Sequence, residues 1–453
     1  MEAIALALLS VLVVSALFFF TKGTFLELSL SKGKIWPIFL YRELALVFIP
    51  IILVQSLGVK TFPLALFYAT DDKTLFIGLF VIYAIFTFSL SLAVFSRIIP
   101  ISKPLGLEAA NIAGSHQFTY TERFAAISTL TGLGLLLLSI AFYGYSHALF
   151  TSILNGENLL LVRVANKHSE LPSQISQIIR FSSWISAIHC GILIGTNRKA
   201  KAIFYFFSSF ILSSAGGGKA PIFMGLIIIA SSICIIKRPR INLKLLSIYI
   251  PFGCAVIFFG AYYVVLLQSP SLNFHDYLFY LVNRIGVGQM SGTYETYSIP
   301  RLSGDFYWHM IPFANLFIDY PVYDKQLMSF IENIFDNGVK NSLFISEAFG
   351  IGGWTLAILS PIIVGFSYVA GSFFLQKALC LFFNEQVARL YFLPLYILSS
   401  SLTGGFSSFA LFKGLILSIL ILGVYWILSP LLRLTIGKQP PMSPNGSTKH
   451  TSG

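Results

Sequence analysis

Long apolar runs, broken by short polar stretches, fill most of the chain. In runs such as "ALALLSVLVVSALFFF" and "LFIGLFVIYAIFTFSLSLAVF" the apolar residues are continuous rather than alternating. A membrane barrel strand would alternate polar and apolar at every second residue. A membrane helix needs roughly 20 predominantly apolar residues to cross. The pattern therefore predicts helical spans near 3–20, 38–58, 75–96, 124–145, 175–195, 202–215, 220–236, 245–267, 354–376, 390–407 and 412–430. The predicted fold is all-α and polytopic, with about 11 transmembrane helices.

Two of these spans are short. Residues 202–215 and 220–236 number 14 and 17, and at about 1.5 Å per residue they reach about 21 and 26 Å. The hydrocarbon core is about 30 Å thick. The stretch joining them, "SSAGGGKAP" from Ser213 to Pro221, is thus expected to lie recessed from the surface. Irregular backbone at that depth is tolerated only inside protein or against a wet cavity.

Between the eighth and ninth spans lies a polar segment, 268–353, too long for a plain connector and too rich in Phe, Tyr and Leu to be disordered. "NFHDYLFYLVNR" has apolar residues at 274, 277, 278, 281 and 282, with Asn273 and Asp276 placed as N-cap and N3. "DKQLMSFIENIFDNG" repeats the design and stops at Gly338. Both predict short amphipathic helices on the outer face. A smaller outer loop covers about 146–174. The chain reads as one polytopic domain, 1–436, followed by a disordered cytoplasmic tail, 437–453.

Composition agrees with the pattern. Charged residues are 11% and hydrophobic residues 56%, with mean hydropathy +0.80, whereas soluble domains carry about 25% charged residues. The net charge of +12 reads as the excess of Lys and Arg in cytoplasmic loops rather than as a nucleic-acid surface. With the C-terminus inside, the inner segments hold 18 of the 30 Lys and Arg, and the outer ones nine. The short loops "TNRKAK" and "KRPRINLK" weigh most, which orients the N-terminus outside. Residues 3–20 lack a basic flank and a small-residue cleavage site, so they read as a retained helix. Four cysteines fall in or beside apolar runs without Cys-x-x-Cys spacing, which speaks against disulfides and a cysteine metal site.

The glycine-rich turn fails as a nucleotide loop. Ser213 stands where the first glycine belongs and Ala220 where Ser or Thr belongs. The basic loops on either side also put the turn outside. Lys219, backbone N–H groups and the N-terminus of the helix that Pro221 begins make an anion site, with a snorkelling lysine beside a hinge as the plainer alternative. Arg284 closes the first amphipathic helix where a lipid-linked substrate would arrive, and its guanidinium can grip phosphate bidentately. Arg180, near the outer end of its span, is a third phosphate contact. His189 reads as a packing histidine, and Arg42 with Glu43 as a snorkelling or paired couple. Among the loop's acids and imidazoles, Glu347 in "NSLFISEAFGIGGW" and His309 in "DFYWHM" are the general-base candidates. Tyr307, Trp308 and Tyr320 offer flat faces for sugar rings or for the membrane interface. No metal-binding spacing occurs, and no cofactor is implied.

The order of features, "SSAGGGKAPIFMGLI", then "YLFYLVNRIG", then "NSLFISEAFGIGGWTLAILSPIIVG", resembles the Wzy-type oligosaccharide repeat-unit polymerases of O-antigen and capsule pathways, over roughly 130–430. Members often carry arginine where this chain has Lys219. The resemblance implies a glycosyltransferase of the bacterial inner membrane that polymerises undecaprenyl-pyrophosphate-linked oligosaccharide on the outer side. Lys219, Arg284 and Arg180 would stabilise the pyrophosphate leaving group, Glu347 or His309 would deprotonate the acceptor, and Tyr307, Trp308 and Tyr320 would hold glycan. It also implies a chain-length regulator and a flippase as partners. An O-antigen ligase shares this plan with a different acceptor. A transporter is the different-class rival; the sequence shows neither repeat symmetry nor paired broken helices.

Overall fold

The computed structural model describes residues 1–29, 37–62, 66, 69–101, 116–168, 171, 173–217, 219–237, parts of 251–267, 273–298, 318, 341–382 and positions 402, 403, 405, 406, 409 and 423. The described residues are mostly helical and include no strand. The elements are α1 Glu2–Phe20, α2 Ile38–Leu57, α3 Thr74–Ile98 and α4 His116–Phe142. Two short helices follow, α5 Ala148–Asn155 and α6 Leu159–His168, then α7 Ser173–Gly195, α8 Lys199–Ser214 and α9 Lys219–Lys237. Next come α10 Phe274–Leu281, a π-helix Val282–Val287, α11 Ser291–Ser298 and the long α12 Phe344–Phe382. Six helices among the described residues are long and apolar enough to cross a membrane, with Pro221–Ile233 a shorter apolar one. The expected spans 245–267, 390–407 and 412–430 lie wholly or partly outside the described residues, as do the amphipathic helix around 324–338 and the tail.

Helices suit these sequences because each satisfies its own backbone, and the few hydroxyls bond back to the preceding turn. Ser10 donates to the Leu6 carbonyl at 2.8 Å and Ser89 to that of Ile85 at 2.7 Å. Small residues let the helices approach closely. A Cβ on Gly191 would stand 2.5 Å from Ser232 Cβ, and one on Gly365 2.5 Å from Ser91 Cβ. α4, α7, α8 and α9 thereby make one bundle, and α1, α2, α3 and α12 another.

α3 serves as a ruler for depth. Glu2 meets Gln55 at one end, where the exposed Asp71 and Asp72 precede α3; the Phe20 carbonyl meets Arg97 at the other. α12 runs down α3 in register: Trp354 packs on Phe76 and Phe80, and Tyr368 on Phe88. Phe344 also packs on Phe88, while Phe349 lies against Trp354. Residues 344–351 therefore rise from mid-depth to the Asp71 end, and the chain turns back at Gly352 and Gly353 before descending. Both glycines leave helical geometry, Gly353 at φ 64°. The stretch expected to be a loop before a single span is thus half of a broken helix.

The first part of the 268–353 segment also departs from expectation. α10 is the surface helix predicted, with the Asn273 side chain accepting from the Asp276 N–H at 2.8 Å. Beyond it the chain plunges inward: Asn283, Thr293, Tyr294, Glu295 and Tyr297 are buried. Hydrogen bonds compensate for burying this polar sequence. Thr293 Oγ1 accepts the Leu343 N–H at 2.9 Å, Gly292 N–H donates to the Asn341 carbonyl at 3.0 Å, and Tyr297 hydroxyl to that of Ile345 at 3.1 Å.

Candidate functional site

The glycine-rich turn is built by the end of α8. Ser214 donates to the Phe210 carbonyl at 2.6 Å, inside the last helical turn, and Gly217 N–H closes on the Ser214 carbonyl at 2.9 Å. Gly217 has φ +66°, a left-handed geometry that glycine adopts without penalty. α9 begins two residues later at Lys219, with Pro221 in its first turn, so its N-terminal end opens on this turn.

The turn is not open from above. α5 and α6 lie over it as a cover. Ala148 N–H donates to the Ala215 carbonyl at 2.8 Å. A Cβ at Gly217 would stand 2.9 Å from both Ala148 Cβ and Leu159 Cδ1, and 3.0 Å from Arg163 Cγ. Protein packs directly on the turn.

This packing gathers cations. The Arg163 stem lies on Gly217, and the Tyr145 hydroxyl is 3.7 Å from where a Gly216 Cβ would be. Arg180 acts on the same tyrosine: burial holds the Tyr145 phenol above its usual range, and the Arg180 charge draws it partly back. Arg180 itself is exposed. Arg180 is thus linked to the turn through Tyr145, and Arg163 through Gly217. The sequence reading missed Arg163, although α6 advertises it: Leu159, Val162, Arg163 and Asn166 share one helical face. That face carries the buried Leu159 and Val162, and Asn166 bonds both backbone groups of Ser146 at 2.9 and 2.7 Å.

Arg284 lies elsewhere. It belongs to the π-helix, whose Gly286 would meet Leu53 Cδ1 of α2 at 3.1 Å if it bore a Cβ. π-helical turns are rare and recur at functional sites. Asn283 beside it donates to the Phe279 carbonyl at 3.0 Å, while its buried Oδ1 has no partner among the described residues. The side chains of Lys219 and Arg284 lie outside the described residues, as do His309, Tyr307, Trp308 and Tyr320 entirely.

Glu347 is buried on the rising arm 344–351, with its carboxylate against Gly405. Three residues earlier, Leu402 N–H donates to Glu43 Oε2 at 3.1 Å. Glu43 pairs with Arg42, whose Nη1 also reaches Met224 Sδ at 3.1 Å. Sequence reading left this couple as a snorkelling or local pair. The pair forms, and it is tied to α9 and to the 402–405 backbone because α2 brings it to mid-bundle. His189 is fully buried against Tyr205, ring centroids 4.7 Å apart, in keeping with a packing role. No group of three His, Cys, Asp or Glu able to hold a metal occurs among the described residues.

No family model, no curated protein and no solved structure matches the chain.

Proposed function

We propose that the protein is a membrane glycosyltransferase that polymerises lipid-pyrophosphate-linked oligosaccharide repeat units, in the manner of the Wzy-type family its sequence resembles. In this reading the glycine turn and the Asp71 end face outward, in the inner membrane of a bacterium. One observation carries it: the Arg163 stem packs on the glycine turn where α9 begins, beneath α5 and α6, and Arg180 acts on Tyr145 beside the same turn.

Such a site fits the chemistry of a pyrophosphate leaving group. Negative charge grows on the bridging oxygen as the glycosidic bond breaks, and guanidinium groups held in place stabilise it without protonating it. The α9 dipole acts in the same sense. Arg284, on the π-helix, would meet the lipid-linked substrate at the α2 side. Glu347 or His309 would take the acceptor hydroxyl's proton, and Tyr307, Trp308 and Tyr320 would hold glycan.

The test is deletion followed by gel separation of surface glycan. A polymerase deletion leaves single repeat units attached; a ligase or flippase deletion leaves none. Long chains in the deletion strain refute the proposal. A second reading, a transporter of the lipid-linked oligosaccharide, is favoured by one observation: α12 is a broken helix that reverses at Gly352 and Gly353, and its rising arm carries the buried Glu347. The same gel separates the two.

A further inference from the structure

We infer that His147 is a pH-sensitive latch, closing the α5–α6 cover over the glycine turn when neutral and releasing it when protonated. His147 precedes α5 and is buried. Its Nδ1 accepts the Phe150 N–H at 3.3 Å, capping α5. Its Nε2 lies 3.0 Å from the Ile211 carbonyl in the last turn of α8. A carbonyl only accepts, so Nε2 carries the proton and Nδ1 is bare. One neutral ring therefore fastens the start of the cover to the helix that ends in the turn. The ring also stacks on Phe150, centroids 4.1 Å apart.

Protonation undoes this at Nδ1. The new N–H would point at the Phe150 N–H, donor against donor, and the cap would be lost. The surroundings offer the imidazolium little compensation. Among the described side chains, α6 brings Arg163 onto the turn and α7 brings Arg180 to Tyr145. The approach to α5 holds Tyr143 and Tyr145, and residues 207–214 of α8 hold no ionisable side chain. Among the described residues of α5 and α6 and the link between them, the acid is Glu157, which accepts from Asn155 at 3.2 Å. Burial accordingly pulls the His147 imidazole below 6.5, with its backbone hydrogen bonds acting the other way. A histidine depressed in the closed form binds its proton more readily once the cover opens. The latch is therefore complete above about pH 6.5 and weakens as pH falls below it. It is a property of the cover, whatever the turn binds.

Hydrogen exchange on the full chain in lipid nanodiscs tests it, following the amides of 145–155 at pH 8 and pH 5 with intrinsic rates corrected. Wild-type protection should fall about tenfold at pH 5, the scale of a lost cap. His147→Asn, which keeps a cap acceptor and does not titrate, should show no such fall; His147→Gln is the second non-titrating variant. Wild-type protection that is flat with pH overturns the latch without any variant. An equal fall in the folded non-titrating variants overturns it too.

Discussion

Replacing Gly217 by alanine places a methyl group where the structure has no room for one. The new carbon would lie 2.9 Å from Ala148 Cβ, 2.9 Å from Leu159 Cδ1 and 3.0 Å from Arg163 Cγ. The first is rigidly attached to backbone, and the second belongs to a fully buried side chain. Overpacking of this kind costs about 1–3 kcal/mol. The left-handed φ of +66° adds about 1–2 kcal/mol for any residue with a Cβ. Together they weaken closure of the cover by about 2–5 kcal/mol, an opening equilibrium raised at least about 30-fold. Gly216→Ala is the internal control, because its Cβ would meet only the Tyr145 hydroxyl, at an ordinary 3.7 Å. Hydrogen exchange of α5 and α6 in the two purified variants reads the difference directly. Equal protection in both variants would refute the account of why glycine stands at 217.

Other outcomes follow from the same contacts. Arg163→Ala and Arg180→Ala should each lower chain extension about 10²–10³-fold on the scale of a lost oxyanion donor, with the protein still inserted; normal glycan ladders from both would remove the anion site. Glu43→Ala should orphan the buried Leu402 N–H and cost about 1–3 kcal/mol, while Glu43→Gln keeps an acceptor and costs less, as read by thermal stability in detergent. Gly191→Ala should overpack Ser232 and the Ile229 carbonyl and cost about 1–3 kcal/mol in the same assay. Asn273→Ala should fray α10 alone, by about 0.5–2 kcal/mol, seen as faster exchange confined to 274–281.

Local chemistry made much of this molecule legible in the linear chain. Continuous apolar runs dictate helices, since only a helix satisfies its backbone within one apolar segment. Asn273 three residues before Asp276 specified a cap, and the shortness of 202–215 and 220–236 implied a recessed turn. Each of these depends on neighbours in sequence. What covers the turn does not. Arg163 reaches it because α6 folds back across some 50 residues, and the sequence carries no sign of that beyond the apolar face that α6 buries.

Glu347 shows the division most plainly. By sequence it stands in a loop ahead of a span, because a hydrophobic run records burial but not direction. Only the reversal at Gly352 and Gly353 turns that stretch into a rising half-helix, and only its packing on α3 carries the carboxylate to mid-bundle beside the 402–405 backbone. The same holds for Arg42 and Glu43, adjacent in sequence and readable as a surface pair, yet joined to α9 and to Leu402 by the arrangement of distant helices. The sequence by itself determined that the chain is helical, apolar and basic, and where its turns fall. The tertiary structure decided which of its few charges meet, because those meetings depend on contacts between residues far apart in the chain.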